Sequence, residues 1–577
     1  MKSRTSFFNL TAFRKNITRF APIWALYTVF LLLILFGISD QEPGEMARYI
    51  LIITRLAGIG NLLYAGIVAM CLFGDLYKGR LCNALHAFPM RREGWLLTNI
   101  ASGFLFSLIP NLIVCTITSL QLGEYTLYIW NLFAVATLQY IFFFGTAVLS
   151  AMCAGNKLGM AAVYGIIQFV VVLIYFLAEV IYQPLIYGIE MQTEKFYRFF
   201  PLSRMFAEYV ETEYGYGEPV FKGYATEQWT HLYICAAVGV VAFVLAWLVY
   251  RCRHLERAGD FIALRPLAPV FLTVYTIAVG TVLYSFFEMV GKPSYVIYGV
   301  GIIIGFFTGQ MLLNRTVKVF YKKAWIAFGV LAVVLSGSMA LTWLDPTEIG
   351  SYIPPVDKVE SASIYGPDKS YYYFDQEKFD SFAITDPEEI KNLQALHGNL
   401  LTERPTGDGY YFDVRIHYNL KDGKMVDRYY RVHFDSPLKK EAAKWFSDAR
   451  YVFQIDDPTM LYQLIGGFSV DRSKYDEEGN WSVSAQDFED PAQVEGLLNA
   501  LLADCAAGNM AQFWDFHNGD GTSYNIDLEL REDISKELED EYRFGYLSIY
   551  SDCTNTIAYL EKLLAENPND NSQQEAQ

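Results

Sequence analysis

Charged side chains are scarce in this 577-residue sequence: they make up 19% of it, whereas hydrophobic residues make up 53%. Soluble domains usually carry about 25% charged residues, so the deficit excludes one uniformly soluble globule. Cysteine is also rare, and eight cysteines in a chain of this length are too few for a disulfide scaffold.

Signatures of catalysis and metal binding are missing as well. No G-x-x-x-x-G-K-[ST] loop is present to bind phosphates, and the glycine-rich stretch 301–309 lacks the lysine of such a loop. The histidines lack the H-E-x-x-H spacing of zinc sites, and no D-x-D-x-D-G calcium loop occurs. We therefore predict a protein that is not an enzyme, has no cofactor or metal site and does not bind nucleic acid.

The charges that are present divide the chain into two halves. Residues 1–344 hold 17 acidic and 25 basic side chains, a net charge of +8, whereas residues 345–577 hold 45 acidic and 20 basic ones, a net charge of −25. Such an asymmetry predicts two different environments.

Long apolar runs occupy the first half. About 20 helical residues match the thickness of a bilayer core, and the runs are apolar on every face, unlike surface helices of soluble proteins. We predict a polytopic α-helical membrane protein with about nine spans, followed by a soluble α+β domain. The predicted spans are 22–38, 56–73, 96–120, 126–150, 158–181, 231–250, 268–288, 296–313 and 324–344.

Basic residues concentrate in alternate connections, which predicts the orientation in the cell membrane. With a cytoplasmic N-terminus, the cytoplasmic segments hold 18 basic and 4 acidic residues. An odd number of spans then places the C-terminal domain outside the cytoplasm. These predicted cytoplasmic segments are 1–21, 74–95, 151–157, 251–267 and 314–323.

The segment 74–95 mixes charged and apolar residues. Leu81, Leu85 and Phe88 recur at helical spacing, and Pro89 ends the predicted helix. One interpretation is an interfacial helix held by anionic membrane lipids. The other is a docking element for a cytoplasmic partner.

Sequence patterns around this helix resemble a known family. Leu76-Tyr77-x-x-Arg80, His86-Ala-Phe-Pro89-x-Arg91-Arg92 and a second stretch at 256–266, ERAGDFIALRP, are similar to permease subunits of ABC exporters of the second type, in particular their Firmicutes members. The resemblance covers residues 1–344, although such permeases usually have six spans. It implies a cytoplasmic ABC ATPase as partner, and either a homodimer or a sister permease.

The resemblance also implies that segment 74–95 is a coupling helix, which fits a cleft on the ATPase. The residues to which it assigns this role are Asp75, Tyr77, Lys78, Arg80, Leu81, Leu85, His86, Phe88, Pro89, Arg91 and Arg92.

A few polar residues lie inside the predicted spans: Asn61, Asn111, Gln139, Gln168, Glu179 and Gln310. The amides either form hydrogen bonds between helices or line a translocation path. Glu179 lies either near the outer boundary of its span or beside a cavity or partner. In the outer loop 182–230 we predict short helices that cap the pathway; the alternative is a solvated loop.

For the C-terminal half we predict a linker at 345–355, two α+β lobes at 356–465 and 466–563, and a disordered tail at 564–577. Asp386-Pro387 and Asp490-Pro491 each start a predicted helix in a weak internal repeat. Alternating residues predict strands at 411–418, 425–434, 524–530 and 546–550. A disulfide between Cys505 and Cys553 is allowed by this topology.

The leading hypothesis is a permease subunit that couples ATP hydrolysis by a separate chain to export. The alternative is a membrane-anchored sensor or scaffold whose outer domain binds an envelope ligand or protein.

Overall fold

A computed structural model gives the fold, and it describes most of the chain. The described residues are 8–39, 45–87, 91–189, 205–213, 220–291, 294–346, 348–366, 383–403, 410–453, 455, 457–475, 481–511, 522–531, 547–549 and 551–567. The chain divides into two compact units. The helical unit comprises Met1–Tyr182 and Gln192–Met339, and the C-terminal unit comprises Gln183–Met191 and Ala340–Gln577.

Eleven α-helices make up most of the described helical unit. They are α1 Leu10–Arg19, α2 Ala21–Ser39, α3 Met46–Leu72, α4 Gly79–Ala87, α5 Arg92–Gln121, α6 Thr126–Cys153, α7 Lys157–Phe176, α8 Thr226–Cys252, α9 Leu267–Met289, α10 Tyr295–Asn314 and α11 Lys322–Leu344. A π-helical turn, Leu177–Tyr182, continues α7.

Eight of these helices are long and apolar enough to cross a membrane: α3, α5 to α7, and α8 to α11. The pair α1 and α2 bends by 58° between Arg19 and Ala21, and it provides a ninth crossing if the two count as one span. The prediction of a helical membrane protein with a strand-containing C-terminal region therefore agrees with the structure.

Glycines set the closest helix packing in this unit. A Cβ atom added at Gly301 of α10 would lie 2.8 Å from the Cα of Gly280 on α9, and one at Gly305 would lie 2.9 Å from the carbonyl oxygen of Thr276. Gly239 of α8 faces α6 at a similar distance. The glycine-rich stretch 301–309 thus brings two helix backbones together, as small residues do in membrane helices.

The described part of the outer loop contains one short 3-10 helix, Gln183–Leu185, and two strands that the prediction of short helices did not include. Strands β1 Val210–Glu213 and β2 Val220–Tyr224 form an antiparallel hairpin, in which Val210 pairs with Tyr224. Branched and aromatic residues at Val210, Val220 and Phe221 favour strands. Residues 190–204 and 214–219 of this loop lie outside the described residues.

The C-terminal unit contains two antiparallel sheets. Strands β3 Val359–Tyr365, β4 Tyr411–Leu420 and β5 Met425–His433 form the first sheet in the order β3-β4-β5. Strands β6 Ile465–Tyr475, β7 Trp481–Phe488, β8 Thr522–Leu530 and β9 Leu547–Ile549 form the second in the order β7-β6-β8-β9. The helices are α12 Pro387–Thr402, α13 Leu438–Phe446, α14 Ala449–Phe453, α15 Leu461–Leu464, α16 Pro491–Ala507 and α17 Thr554–Glu566.

Each sheet buries its own hydrophobic core. Leu393 and Leu400 of α12 pack with Val414 and Ile416 of β4, whereas Leu497 of α16 packs with the strands of the second sheet. Helix α17 continues to Glu566, so the prediction of a disordered tail from residue 564 starts too early; residues 568–577 lie outside the described residues.

The structure does not contain the disulfide that the topology allowed. Cys505 and Cys553 are both buried in the core of the second sheet, and no disulfide joins them among the described residues. The Cys553 thiol lies 3.5 Å from the sulfur of Met510 and donates to the carbonyl of Asn509 at 3.4 Å. Cysteine therefore acts here as a small hydrophobic residue.

Candidate functional site

Basic segments meet at one end of the helical unit, which we call the basic end: the described parts of 1–21, 74–95, 151–157, 251–267 and 314–323. Arg19 joins the first segment to Asp75 in the second. Ala154 and Ile262 form a β-bridge between the third and fourth. Phe261 and Ile262 share a hydrophobic cluster with Leu312 and Leu313, just before the fifth. Segments that lie far apart in sequence thus form one surface.

Helix α4 is part of this surface. A 3-10 turn, Gly74–Tyr77, precedes it and buries Leu76 and Tyr77. Within α4, Cys82 is buried, whereas the Leu81 side chain is 43% exposed. The helix therefore has an anchored face and an open face. The exposed residues of the segment are Lys78, Gly79, Arg80, Leu81, Asn83, Ala84, Ala87, Arg91 and Arg92.

The predicted coupling residues divide between these two faces. Tyr77 is buried, and Lys78, Arg80, Leu81, Arg91 and Arg92 are exposed. Leu85 and His86 belong to α4, but their side chains are outside the described ones, and Phe88 and Pro89 lie outside the described residues altogether. The apolar spacing placed the helix correctly, although Leu81 points outward.

Asp75 forms a contact within the chain. Its carboxylate accepts two hydrogen bonds from the Arg19 guanidinium, at 2.9 and 3.1 Å. Such a bidentate pair has a fixed geometry. It ties the 3-10 turn before α4 to the end of α1, so Asp75 positions the segment.

Arg253, which no sequence pattern distinguishes, anchors the other side of the segment. The residue is 3% exposed, and its guanidinium donates to the carbonyls of Ala151 at 3.0 Å, Met152 at 3.1 Å and Leu76 at 3.4 Å. Two of these carbonyls belong to the last turn of α6, where a cation is favourable. Burial lowers the pKa of Arg253, yet an arginine stays protonated in proteins.

In the sequence, Arg253 looks like any other basic residue after a span. Arg251, two positions before it, is exposed: it lies over the ring of Trp247 at 4.9 Å and 3.8 Å from a carboxylate oxygen of Glu93. Only the contacts in the folded structure distinguish buried Arg253 from exposed Arg251.

Aromatic rings fill the space behind the segment. The ring centroids of Phe73 and Trp95 lie 5.5 Å apart, and those of Trp95 and Tyr250 lie 5.8 Å apart. These edge and tilted arrangements are favourable. They connect the end of α3, the start of α5 and the end of α8 around the base of α4.

The second stretch that carried the resemblance, 256–266, packs against the α6–α7 connection. Gly259 donates its backbone N–H to the carbonyl of Gly155 at 2.7 Å, and Ala263 donates to Cys153 at 2.8 Å. Gly259 has a φ of +107°, which favours glycine. The stretch therefore holds the α6–α7 connection through backbone hydrogen bonds.

Most of the polar residues inside the spans bond to neighbouring elements. Asn61 of α3 donates to Gln139 Oε1 and to the Ala136 carbonyl on α6, both at 3.1 Å. Asn111 of α5 donates to the Tyr27 hydroxyl at 3.0 Å, and Gln168 of α7 donates to the Thr146 hydroxyl at 2.7 Å. These are interhelical hydrogen bonds of the kind that membrane helices use.

The two remaining polar residues lie at helix ends. Glu179 is half-buried in the π-helical turn that ends α7. Gln310 accepts a hydrogen bond from Asn314 within α10, at 2.8 Å.

Among the described residues, no group of three or more His, Cys, Asp and Glu side chains could hold a metal ion.

Comparisons with protein-family models, with curated proteins and with solved structures find no match to this chain.

Proposed function

We propose that this protein is the permease subunit of an ATP-binding-cassette exporter. A separate cytoplasmic ATPase hydrolyses ATP, and the permease couples that reaction to movement of a substrate across the cell membrane. The permease itself makes and breaks no covalent bond. It acts as a homodimer or together with a sister permease.

The observation that supports this proposal is the two-sided character of α4. The turn that leads into α4 is held by Arg253, by the Arg19–Asp75 pair and by burial of Leu76, and α4 buries Cys82. Arg80 and Leu81 of α4 are exposed. A helix with an exposed apolar residue among cations suits an acidic, partly apolar cleft on a partner.

The anchors also suggest how force would pass through the chain. A rigid displacement of α4 would move the carbonyl of Leu76, to which Arg253 is bonded, and Arg253 also holds the last turn of α6. Arg253 directly follows α8. Movement of a docked ATPase would therefore reach the ends of α6 and α8 together.

The charge distribution supports the orientation. The basic segments meet at one end of the helical unit, and the positive-inside rule assigns such an end to the cytoplasm. The acidic C-terminal unit follows the last span and is then extracytoplasmic.

The proposal is tested by co-purification from the native membrane. We expect an ABC ATPase to co-purify with the full-length wild-type chain in mild detergent. Arg80→Glu and Leu81→Glu should each reduce its recovery at least tenfold, because each places a carboxylate on the open face of α4.

The matched control is Arg14→Glu, which reverses an exposed charge on α1 outside the segment; it should leave recovery of the ATPase unchanged. All variants should elute as the wild type in size-exclusion chromatography. Absence of any ABC ATPase from the wild-type preparation, or full recovery with both α4 variants, would contradict the proposal.

The alternative of a membrane-anchored sensor or scaffold makes a different prediction. Its outer domain would bind an envelope ligand or protein, and the exposed face of α4 would have no ATPase to contact. A gene for a lone ABC ATPase beside this one favours the exporter, whereas a histidine-kinase gene alone favours the sensor.

A further inference from the structure

A groove opens at the basic end, between the third turn of α9 and the last two turns of α10. Its volume is about 410 Å³, within the range of small-molecule sites. The lining residues are Tyr275, Thr308, Met311, Leu312, Arg315, Thr316 and Val317. Most of these side chains are apolar or present methyl groups or a ring, so the groove suits a hydrocarbon chain.

One cation stands at the mouth of this groove. Arg315 follows the end of α10 with a φ of +54°, in the left-handed region, and its side chain is exposed. The guanidinium of Arg315 lies beside Gly259, since a Cβ atom added at Gly259 would be 3.7 Å from one of its nitrogens. Within the described part of the chain, no carboxylate pairs with Arg315. Its charge is thus available to an external anion.

The residues beyond the groove have the composition of a membrane interface. Phe320, Tyr321 and Trp325 are 61%, 45% and 50% exposed. Lys318, Lys322 and Lys323 alternate with them, and the segment 314–323 has no acidic residue. Exposed aromatic and basic side chains at the end of a span mark the level of lipid head groups.

We propose that this groove binds one anionic phospholipid. An acyl chain lies along Met311, Leu312 and Val317, and the phosphate is bound by Arg315. Basic pockets between membrane helices on the cytoplasmic side recognise anionic head groups in this way. Charge complementarity decides the occupant, because an apolar groove alone would accept any lipid. This site goes beyond the proposed export function and does not depend on it.

The test measures lipid retained by the full-length protein. The protein is purified in mild detergent and exposed to phosphatidylglycerol or to phosphatidylcholine of identical acyl chains, and bound lipid is counted by native mass spectrometry. We expect phosphatidylglycerol to be retained at least fivefold more than phosphatidylcholine. Arg315→Gln should reduce that preference to near unity.

Two further variants separate a built site from general attraction. Lys323→Gln removes the same charge from the same segment but from outside the groove, and it should leave retention unchanged. Thr308→Trp fills the groove while keeping every cation, so it should reduce retention of both lipids.

Three results would overturn the proposal. Equal losses from Arg315→Gln and Lys323→Gln would indicate general surface attraction. Equal retention of both lipids by the wild type would exclude head-group recognition. A Thr308→Trp variant that changes the oligomeric state and not lipid retention would show that a second copy of the chain covers the groove.

Discussion

His397 is a buried histidine whose polar side-chain atoms are all hydrogen-bonded inside the protein. It lies on α12 and is fully buried, with its two ring nitrogens at hydrogen-bond distance from two hydroxyls: Tyr418 at 3.1 Å and Tyr430 at 2.7 Å. Arg428 lies nearby and donates to the carbonyls of Ile349 and Tyr352 at 3.0 Å each. The histidine thus joins α12 to the first sheet through polar contacts.

The surroundings of His397 disfavour its protonated, charged form. Burial, and then the positive charge of Arg428, lower the pKa of His397 to about 3. An unfolded histidine has a pKa of about 6.5, so the unfolded chain binds a proton that the folded chain does not. Stability is therefore full above about pH 6.5 and decreases as the pH falls toward about 3.

We predict that the C-terminal unit loses about 2 kcal/mol of unfolding free energy from this group between about pH 6.5 and pH 5, at about 1.4 kcal/mol per pH unit. His397→Gln should remove that part of the pH dependence, although it lowers stability at neutral pH. The measurement is denaturant unfolding of the full chain at both pH values. His433→Gln, at a half-exposed histidine on β5, is the control; an unchanged pH slope in His397→Gln would refute the assignment.

At the scale of elements, local signals located many helices and strands correctly. Asp386 caps α12 by accepting from the Glu389 N–H at 3.1 Å, and Asp490 caps α16 through Ala492 at 3.2 Å. Asp422-Gly423 forms the turn between β4 and β5, where Gly423 has a φ of +78°. Each of these signals depends on neighbouring residues alone, so it can be identified in a sequence.

Other elements depend on partners that are distant in sequence. Strand β6 includes residues 471–475, the first part of a charge-rich stretch that has the composition of a solvated segment. Its strand structure depends on pairing with β7 and β8. The hairpin β1–β2 lies in the outer loop 182–230, for which short helices or a solvated loop were predicted. Its strands are only four and five residues long, which is too short for a clear period in the sequence.

The candidate site shows the same division. The position of α4 followed from helical spacing and a proline, both of which are local. Arg253 and the Arg19–Asp75 pair connect residues 177 and 56 positions apart. No spacing rule identifies such contacts, because they exist only after the helices have packed.

Helix packing gives a prediction at this scale. Gly305→Leu should destabilise the helical unit by about 1–3 kcal/mol, the usual effect of an overpacked site, because its Cβ would lie 2.9 Å from the Thr276 carbonyl on α9. Gly299→Leu on the same helix is the matched control, since a Cβ there meets nothing within 4 Å. Thermal unfolding in detergent measures both; equal midpoints for the two variants would contradict the close packing of α9 and α10.

At the scale of the whole molecule, composition and architecture agree. The basic, apolar half forms the helical unit, and most of the acidic half forms the C-terminal unit with its two sheets. Apolar residues such as Val330, Val333 and Leu341 of α11 are at least 60% exposed, which is costly in water and favourable in a bilayer.

The export proposal requires the exposed face of α4 and the C-terminal unit to lie on opposite sides of the membrane. Cysteine labelling in intact cells tests this most directly. Ala87→Cys and Lys440→Cys, both at exposed positions, are introduced separately into a Cys252→Ala background, which removes the exposed native cysteine. A membrane-impermeant maleimide should label position 440 in intact cells and position 87 only after permeabilisation. Labelling of both positions in intact cells, or of neither before permeabilisation, would contradict the account.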